Sequence, residues 1–402
     1  MHMSAKRIGL FGLFGSGNIG NDGSLEAMLA FLRSALPDAK LVCVCSGAAK
    51  VQREFHIPTI RIGGEPATDP ILRVLERLPP ARKLLQWLRA FRAVRGLDAL
   101  IVPGTGILDD YGEDFWGIPA TLLGWCLAAR LRGAKVAFVC VGAGPIDHPV
   151  SRLLMKTAAR LAHYRSYRDP ISKDFMESIG FDTRNDPVCR DIAFRLPLPA
   201  CTSAAAGESL SLTVGLGVMT YFGWRGDPVG GAAIYDGYLR KITRFTLWLL
   251  DGGHRVRILM GEDSDQKAVD DLLKAIAAER PDYPRERVVA EPAQSLRELM
   301  QQIAETQVVV ATRYHNIVCA LKLGKPAISI GYAKKNDVLM ADMGLGELSQ
   351  HVERFDVDLL IEQFTRLVSS RADYEESMRA ANADFRRRLA DQEKILLERV
   401  LR

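Results

Sequence analysis

Two side chains suited to anion binding and proton transfer stand close together in the second half of the chain. Arg313 and His315 follow the apolar run Val308–Thr312, which predicts a buried strand. Side chains alternate along a strand and ligand loops follow the carboxyl ends of parallel strands, so both should face one ligand edge. A guanidinium matches carboxylates and phosphates, and an imidazole titrates near neutral pH. A capping or packing role for His315 is the alternative.

A glycine-rich turn lies near the start of the chain. The stretch "FGSGNIGNDGS", residues 14–24, follows the predicted strand Arg7–Phe14 and contains the pattern Gly-x-Gly-x-x-Gly. A dinucleotide site also needs an acidic residue after the second strand, and here that strand ends at Ser46 with no carboxylate. We therefore expect a turn whose backbone N–H groups face an anionic or polar ligand, with a purely structural turn as the alternative.

Short apolar strands alternate with helical patterns in both halves of the chain. Its 402 residues exceed what one ordinary core holds, so two domains are expected. The predicted strands of the first half are Arg7–Phe14, Leu41–Cys45, Ala99–Val102, Val136–Val141, Tyr164–Tyr167 and Val188–Ile192. Those of the second half are Thr213–Val218, Val256–Met260, Val288–Ala290, Val308–Thr312 and Ala327–Ile330. This alternation predicts an α/β protein with two doubly wound, Rossmann-like domains facing across a cleft.

The predicted domain limits follow from composition. A small and polar stretch without apolar periodicity marks a linker at residues 201–210, between an N-terminal domain at 1–200 and a C-terminal domain at 211–375. Residues 376–402 have apolar side chains at near-helical spacing among charged ones, which predicts a terminal amphipathic helix.

Composition excludes several classes of protein. The formal net charge of +5 is small, and no nucleic-acid-binding module is present, so no nucleic-acid partner is expected. Seven cysteines, mostly in apolar runs and without metal-type spacing, predict a reducing cytoplasm and no metal site. No apolar run is long enough to span a membrane. The basic stretch at residues 82–95 predicts a helix that either packs on its own domain or makes peripheral membrane contact.

Four motifs in order resemble the polysaccharide pyruvyl transferase family. "GSGNIGND" is similar to the family's N-terminal glycine element, and "IVPGTGILDDY" at Ile101–Tyr111 is similar to its second glycine-rich turn. The segment Tyr164–Ser172 resembles its Ser-x-Arg-Asp element. The stretch Val308–Leu345 resembles its C-terminal signature of an Arg-x-His pair, an "LGKP" turn and a strand ending in Gly-Tyr.

The resemblance implies a two-domain fold similar to GT-B glycosyltransferases and an enzyme without a cofactor. Phosphoenolpyruvate would be the co-substrate, and its pyruvate would become a ketal on a sugar acceptor in the synthesis of cell-surface polysaccharide or glycolipid. Arg168 and Arg313 would bind the anionic donor, and His315 would be the general acid. Asp22 is the candidate base, with Asp109 and Asp110 as alternatives. The other implied substrate-binding residues are Gly17, Asn18, Gly104, Gly106, Asp109 and Tyr332. The first domain would take the acceptor and the second the donor.

Two other functions remain open from the sequence. A GT-B-type glycosyltransferase would use Arg313 for a nucleotide diphosphate and Glu262 or Asp263 for the ribose. A relative that binds sugars without catalysis would keep the fold alone. The sequence leaves the acceptor sugar, its linkage to a nucleotide, lipid or polymer, and the oligomeric state open.

Overall fold

The computed structural model describes residues 5–65, 69–199, 211–224 and 226–402. They form two compact units. Unit 1 comprises Met1–Ser16, Ser24–Arg195 and Arg387–Arg402, and unit 2 comprises Gly17–Gly23 and Leu196–Arg386. Unit 2 thus includes the glycine turn and residues 196–199 of the predicted 1–200 domain, and the predicted terminal segment 376–402 is divided between the two units. The predicted linker at 201–210 lies outside the described residues.

Unit 1 is built on a parallel sheet with the strand order β3-β2-β1-β4-β5-β6. Its strands are β1 (Arg7–Gly12), β2 (Lys40–Cys45), β3 (Thr59–Arg61), β4 (Ala99–Pro103), β5 (Lys135–Val141) and β6 (Tyr164–Tyr167). In the central strand, Ile8 is opposite Leu41 on one side and Ala99 on the other. The central strands are buried along nearly their whole length, as expected for a parallel sheet with helices on both faces.

Unit 2 repeats this topology, with the order β12-β11-β10-β7-β8-β9. Its strands are β7 (Thr213–Gly217), β8 (Arg255–Leu259), β9 (Val288–Ala290), β10 (Val308–Ala311), β11 (Ala327–Gly331) and β12 (Ser349–His351). In both units the first strand lies near the middle of the sheet, and the order of the strands reverses beside it. Ligands of doubly wound sheets bind beyond the carboxyl ends of the strands at such a reversal. The predicted Rossmann-like fold is confirmed.

Fourteen α-helices connect the described strands. The first seven are α1 (Ile19–Ala35), α2 (Ala48–Phe55), α3 (Pro70–Leu75), α4 (Pro79–Ala93), α5 (Ile118–Leu131), α6 (Pro149–Arg160) and α7 (Pro170–Ser178). The later helices are α8 (Gly231–Asp251), α9 (Gln266–Glu279), α10 (Leu296–Ala304), α11 (Tyr314–Lys322), α12 (Lys334–Asp342), α13 (Val357–Ser369) and α14 (Arg371–Leu396).

Most predicted strands are confirmed within a residue or two, and the exceptions are short edge segments. The predicted strand Val188–Ile192 is wrong, because only Val188 forms a bridge, to Tyr167, and a turn of 3-10 helix follows at Ile192–Arg195. Asp191 Oδ1 accepts from the Ala193 N–H and thereby starts that turn. Strands β3 and β12 were not predicted from the sequence, because each has only three residues, none fully buried, and no apolar run.

The terminal helix is confirmed, although it begins earlier than predicted. Its apolar side chains Met378, Phe385, Leu389 and Leu396 are all buried. In unit 1 the side chain of Gln392 is anchored on the sheet, since its Oε1 accepts from Ser166 Oγ at 2.5 Å. This buried polar contact fixes the last turns of α14 against β5 and β6.

The basic helix α4 packs on its own unit through a face that includes a lysine. Lys83 is 5% exposed and donates from Nζ to Thr121 Oγ1 at 2.8 Å, and Trp87 Nε1 donates to Ala120 O at 2.9 Å. Burial, with a smaller effect of Arg82, lowers the pKa of Lys83 to about 8. Leu84 and Leu88, which the sequence places on one face of this helix, are exposed.

Candidate functional site

Arg313 lies at the carboxyl end of β10 and is the N-cap residue of α11. Its Nε and Nη2 atoms donate to the two oxygens of Asp265 at 2.9 and 2.7 Å, and its Nη1 lies 2.7 Å from Glu262 Oε2. Burial alone would lower the pKa of Arg313, but hydrogen bonds and charge from Asp265, helped by Glu262, raise it. The guanidinium is therefore fixed in position and permanently charged.

The two carboxylates that hold Arg313 differ in exposure. The Asp265 side chain is fully buried, whereas that of Glu262 is 31% exposed. The buried carboxylate forms a bidentate pair that orients the guanidinium, and the partly exposed one covers a further edge of it. Only the Glu262 carboxylate can therefore move away from Arg313 without leaving a buried carboxylate unpaired.

His315 lies in the first turn of α11, directly under the glycine turn of residues 17–23. A side chain at Gly20 would place its Cβ atom 2.0 Å from His315 Nδ1, so the backbone of the turn lies against the imidazole ring. The same turn contacts the loop after β8. Asn18 forms an antiparallel bridge with Glu262, and the Asp263 N–H donates to Gly17 O at 3.3 Å.

Residues in the turn also start helix α1. Asn18 Oδ1 accepts from the backbone N–H groups of Gly20 and Asn21 at 3.0 and 3.2 Å, which is the action of an N-cap. Asp22, in the first helical turn, is 3% exposed. Gly17 has a φ of +95°, a backbone conformation that favours glycine. The predicted ligand turn is thus a helix start placed beside His315.

A third polar side chain, Asn316, completes the first turn of α11. It is fully buried, and its Nδ2 lies 3.5 Å from Leu259 O at the end of β8. Its close fit depends on Gly261, where a Cβ atom would lie 3.0 Å from both Asn316 Oδ1 and Arg313 Cγ. The start of α11 therefore packs against the carboxyl end of β8 and the loop that follows it.

Aromatic rings lie after β11. The centroid of the Tyr332 ring lies 6.4 Å from the ring centroid of Tyr221 and 6.4 Å from that of Trp224. Lys335 Nζ lies 5.0 Å from the centre of the Tyr332 ring. Trp224 is 48% exposed. Exposed aromatic faces beside a cation are suited to packing against a sugar or another flat ligand group.

The second predicted arginine, Arg168, belongs to unit 1 and follows β6. Its side chain is 9% exposed and lies 3.4 Å from Asp169 and 3.8 Å from Asp191. A Cβ atom at Gly142 would lie 2.6 Å from Arg168 Nη2, and one at Gly106 would lie 3.6 Å from it. The guanidinium is thus packed between two glycine-containing loops at the carboxyl ends of β4 and β5.

The loop after β4 is shaped by its own acidic side chains. Asp109 Oδ1 accepts from the Tyr111 N–H at 2.7 Å. Asp110 is 2% exposed, and its two oxygens accept from the N–H groups of Gly112 and Asp147 at 3.1 and 2.8 Å. Gly104 has a φ of +59°. In the structure both carboxylates have a loop-shaping role.

In unit 1 the loops after β1 and β2 pack against each other. A Cβ atom at Gly15 would lie 2.6 Å from Gly47 O, so the loops after β1 and β2 touch. Ser46 Oγ donates to Phe14 O at 3.0 Å.

The predicted site residues fall into two groups, one in each unit. Unit 2 holds Gly17, Asn18, Asp22, Arg313, His315 and Tyr332, and unit 1 holds Arg168, Gly104, Gly106 and Asp109. Prediction missed Asp265 and Asn316 altogether. Asp265 follows a strand end by six residues and Asn316 looks like an ordinary helix residue, so neither had a motif to mark it. Glu262 was predicted only as a ribose ligand.

No set of three His, Cys, Asp or Glu side chains in the described ranges could hold a metal ion. Likewise, none of the helices in the described part of the chain is long and apolar enough to cross a membrane.

Solved structures share the two-domain fold of this chain. It is similar to the UDP-GlcNAc 2-epimerase of Neisseria meningitidis bound to UDP-GlcNAc, with a TM-score of 0.62 and 13% identity over 98% of this chain and 99% of that one. The UDP-GlcNAc 2-epimerase of Methanocaldococcus jannaschii has a TM-score of 0.59 at 11% identity over 90% and 92%. A glycosyltransferase of Rickettsia africae has 0.58 at 12% over 98% and 99%. Together they confirm the GT-B-like fold.

Sequence comparison identifies the family. None of the curated proteins compared with the chain matches it. Residues 18–334 match the family model of polysaccharide pyruvyl transferase, a span that includes residues 18–23 of the glycine turn, Arg168 and the Arg313–His315 pair. The chain therefore belongs to the polysaccharide pyruvyl transferase family.

Proposed function

We propose that this protein transfers pyruvate from phosphoenolpyruvate to a sugar of a cell-surface polysaccharide or glycolipid precursor and forms a ketal across two hydroxyls. The observation that carries the proposal is the contact between Gly20 and His315. It joins the two ends of the family match, the N-terminal glycine turn and the Arg-x-His pair, in one site of unit 2.

The proposed chemistry uses one proton donor and one proton acceptor. His315 protonates the methylene carbon of phosphoenolpyruvate, which makes C2 electrophilic, and a sugar hydroxyl attacks C2 and passes its proton to Asp22. A second hydroxyl then attacks C2, its C–O bond forms as the bond from C2 to phosphate breaks, and its proton leaves with inorganic phosphate. The products are the ketal and phosphate, and no electrons are transferred to a cofactor.

Arg313 is the proposed donor-binding cation of this site, together with the backbone N–H groups at the start of α11. Arg313 is the N-cap residue of α11, and its side chain makes no hydrogen bond to the helix. The N-terminus of a helix favours anions. Glu262 must then give up its contact with Arg313 when the donor binds, while Asp265 keeps the guanidinium in place. Arg168 of unit 1 is proposed as a second anion-binding residue.

Calorimetric titration of phosphoenolpyruvate into the wild type tests the proposal directly, with NADH and UDP-sugars as parallel ligands. We expect saturable binding of phosphoenolpyruvate, and about tenfold weaker binding to Arg313→Lys because lysine keeps the charge but loses the planar fork. Arg244→Lys is the matched control, since Arg244 pairs with Asp358 on the surface of the same unit. Binding of a UDP-sugar without binding of phosphoenolpyruvate would instead support a glycosyltransferase.

Glu262→Gln should strengthen phosphoenolpyruvate binding. The carboxylate competes with the donor for Arg313, and its removal relieves a repulsion worth about 1 kcal/mol at a partly exposed site, or about fivefold in Kd. The same titration measures the change in Kd. Glu291→Gln is the control, because Glu291 is an exposed partner of Arg257. Unchanged or weaker binding would place the donor away from this edge of Arg313.

A further inference from the structure

Helices α3 and α4 of unit 1 carry a group of apolar side chains that the fold leaves uncovered. Between positions 74 and 88, five large aliphatic residues are exposed to solvent. Their exposed fractions are 61% for Val74, 40% for Leu75, 59% for Leu78, 60% for Leu84 and 49% for Leu88. Such a concentration on the surface of a protein marks an interaction site.

The direction of these side chains follows from how α4 packs. Lys83, Trp87 and Ala90 face α5, and Trp87 Nε1 donates to Ala120 O. Leu84 and Leu88 are four residues apart, so they share a face of the helix, and their exposure shows that this face is turned away from the packed one.

The same segment is strongly basic. Residues 70–95 contain seven basic side chains and one acidic one, a net charge of +6 that exceeds the +5 of the whole chain. Glu76, the acidic residue, is paired with Arg89 at 2.5 Å. Exposed arginines surround the apolar side chains at positions 73, 77, 82, 92 and 95. The end of α5 extends this surface, since Leu131 is 67% exposed and the Arg132 guanidinium lies 3.9 Å from the centre of the Phe91 ring.

We propose that the exposed side chains between residues 73 and 95, together with Leu131 and Arg132, form a basic apolar face that docks on the anionic surface of a lipid bilayer. Aliphatic side chains would enter the boundary between headgroups and acyl chains, and the arginines would contact acidic headgroups. The charge argues for this occupant over a second copy of the chain, because a symmetric contact would bring two faces of like charge together.

Membrane docking also bears on the chemical class of the sugar acceptor. Resting on the proposed function, it favours a lipid-linked sugar over a freely diffusing one, because the enzyme would be held at the surface that carries such acceptors.

Vesicle flotation of the full-length chain tests the docking face without any substrate. We expect binding to vesicles of 30% phosphatidylglycerol in phosphatidylcholine, weaker binding at high salt, and little binding to pure phosphatidylcholine. The variants Leu84→Glu/Leu88→Glu and Arg82→Glu/Arg92→Glu should each reduce binding about tenfold or more. The control Val229→Glu/Leu359→Glu replaces exposed apolar residues of unit 2, at 94% and 45% exposure, and should bind like the wild type.

Binding that is absent in the wild type, or that persists in both variants, would overturn the proposal. So would a dimer in light scattering that the Leu84→Glu/Leu88→Glu variant loses, since the face would then serve self-association. Circular dichroism checks that the variants are folded, and Leu84→Ser/Leu88→Ser offers a milder pair. The variants should still bind phosphoenolpyruvate, so a failed proposal here is distinguishable from a failed proposal of function.

Discussion

Replacing His315 with glutamine is expected to lower the rate of pyruvate transfer by about 10²–10⁴-fold, the usual contribution of a general acid. The effect should appear in kcat, with binding of phosphoenolpyruvate largely kept, because Arg313 and the start of α11 remain. Phosphate release in the presence of an acceptor measures the rate, and calorimetry measures donor binding. His351→Gln, on β12 of the same unit, is the matched control.

A second variant separates chemistry from packing. Gly20→Ala keeps the imidazole but places a Cβ atom 2.0 Å from its Nδ1, so the ring must move. If His315 is the acid, both variants lose rate. A fast His315→Gln enzyme together with a slow Gly20→Ala enzyme would show that the turn, and not the imidazole, is needed for the reaction.

Replacing Asp265 with asparagine should destabilise unit 2 by about 3–5 kcal/mol. The fully buried carboxylate accepts two hydrogen bonds from Arg313, whose charge would lose its buried partner. Urea unfolding measures the loss as a fall in the transition midpoint. Glu262→Gln should cost only about 0–1 kcal/mol, because that carboxylate is partly exposed.

The double variant Asp265→Leu/Arg313→Met identifies the cause. It removes both charges, so it should be more stable than Asp265→Asn if a guanidinium that has lost its buried partner is what destabilises the single variant. Equal losses in the two would point to packing around position 265 and would contradict the role given to the ion pair.

The apolar patterns of the chain were enough to predict the fold. Runs such as Val308–Thr312 and Val136–Val141 are buried on both faces of a parallel sheet, and only β-branched and other apolar residues fit there. Edge strands β3 and β12 have three residues each and no apolar run, so their sequences hold too little periodicity to be predicted.

In the candidate site, the sequence predicts the positions of some residues and does not predict their partners. Arg313 and His315 stand in a local motif directly after a strand, so their place at the carboxyl end of that strand could be predicted from the sequence, although they start α11 and do not alternate along the strand. Their partners could not be predicted, because Asp265 lies 48 residues away and Gly20 lies 295 residues away, and only the packing of strand ends brings such positions together.

The same division holds for α4. Sequence determined that the segment is a basic, apolar helix, because composition and helical spacing are local properties. Only tertiary structure decided which face packs, since Lys83 has a hydrogen-bond partner in Thr121 and Trp87 one in Ala120, while Leu84 and Leu88 are exposed. Local chemistry fixes what a segment can form, and the partners supplied by distant residues decide which surface it buries and which it presents.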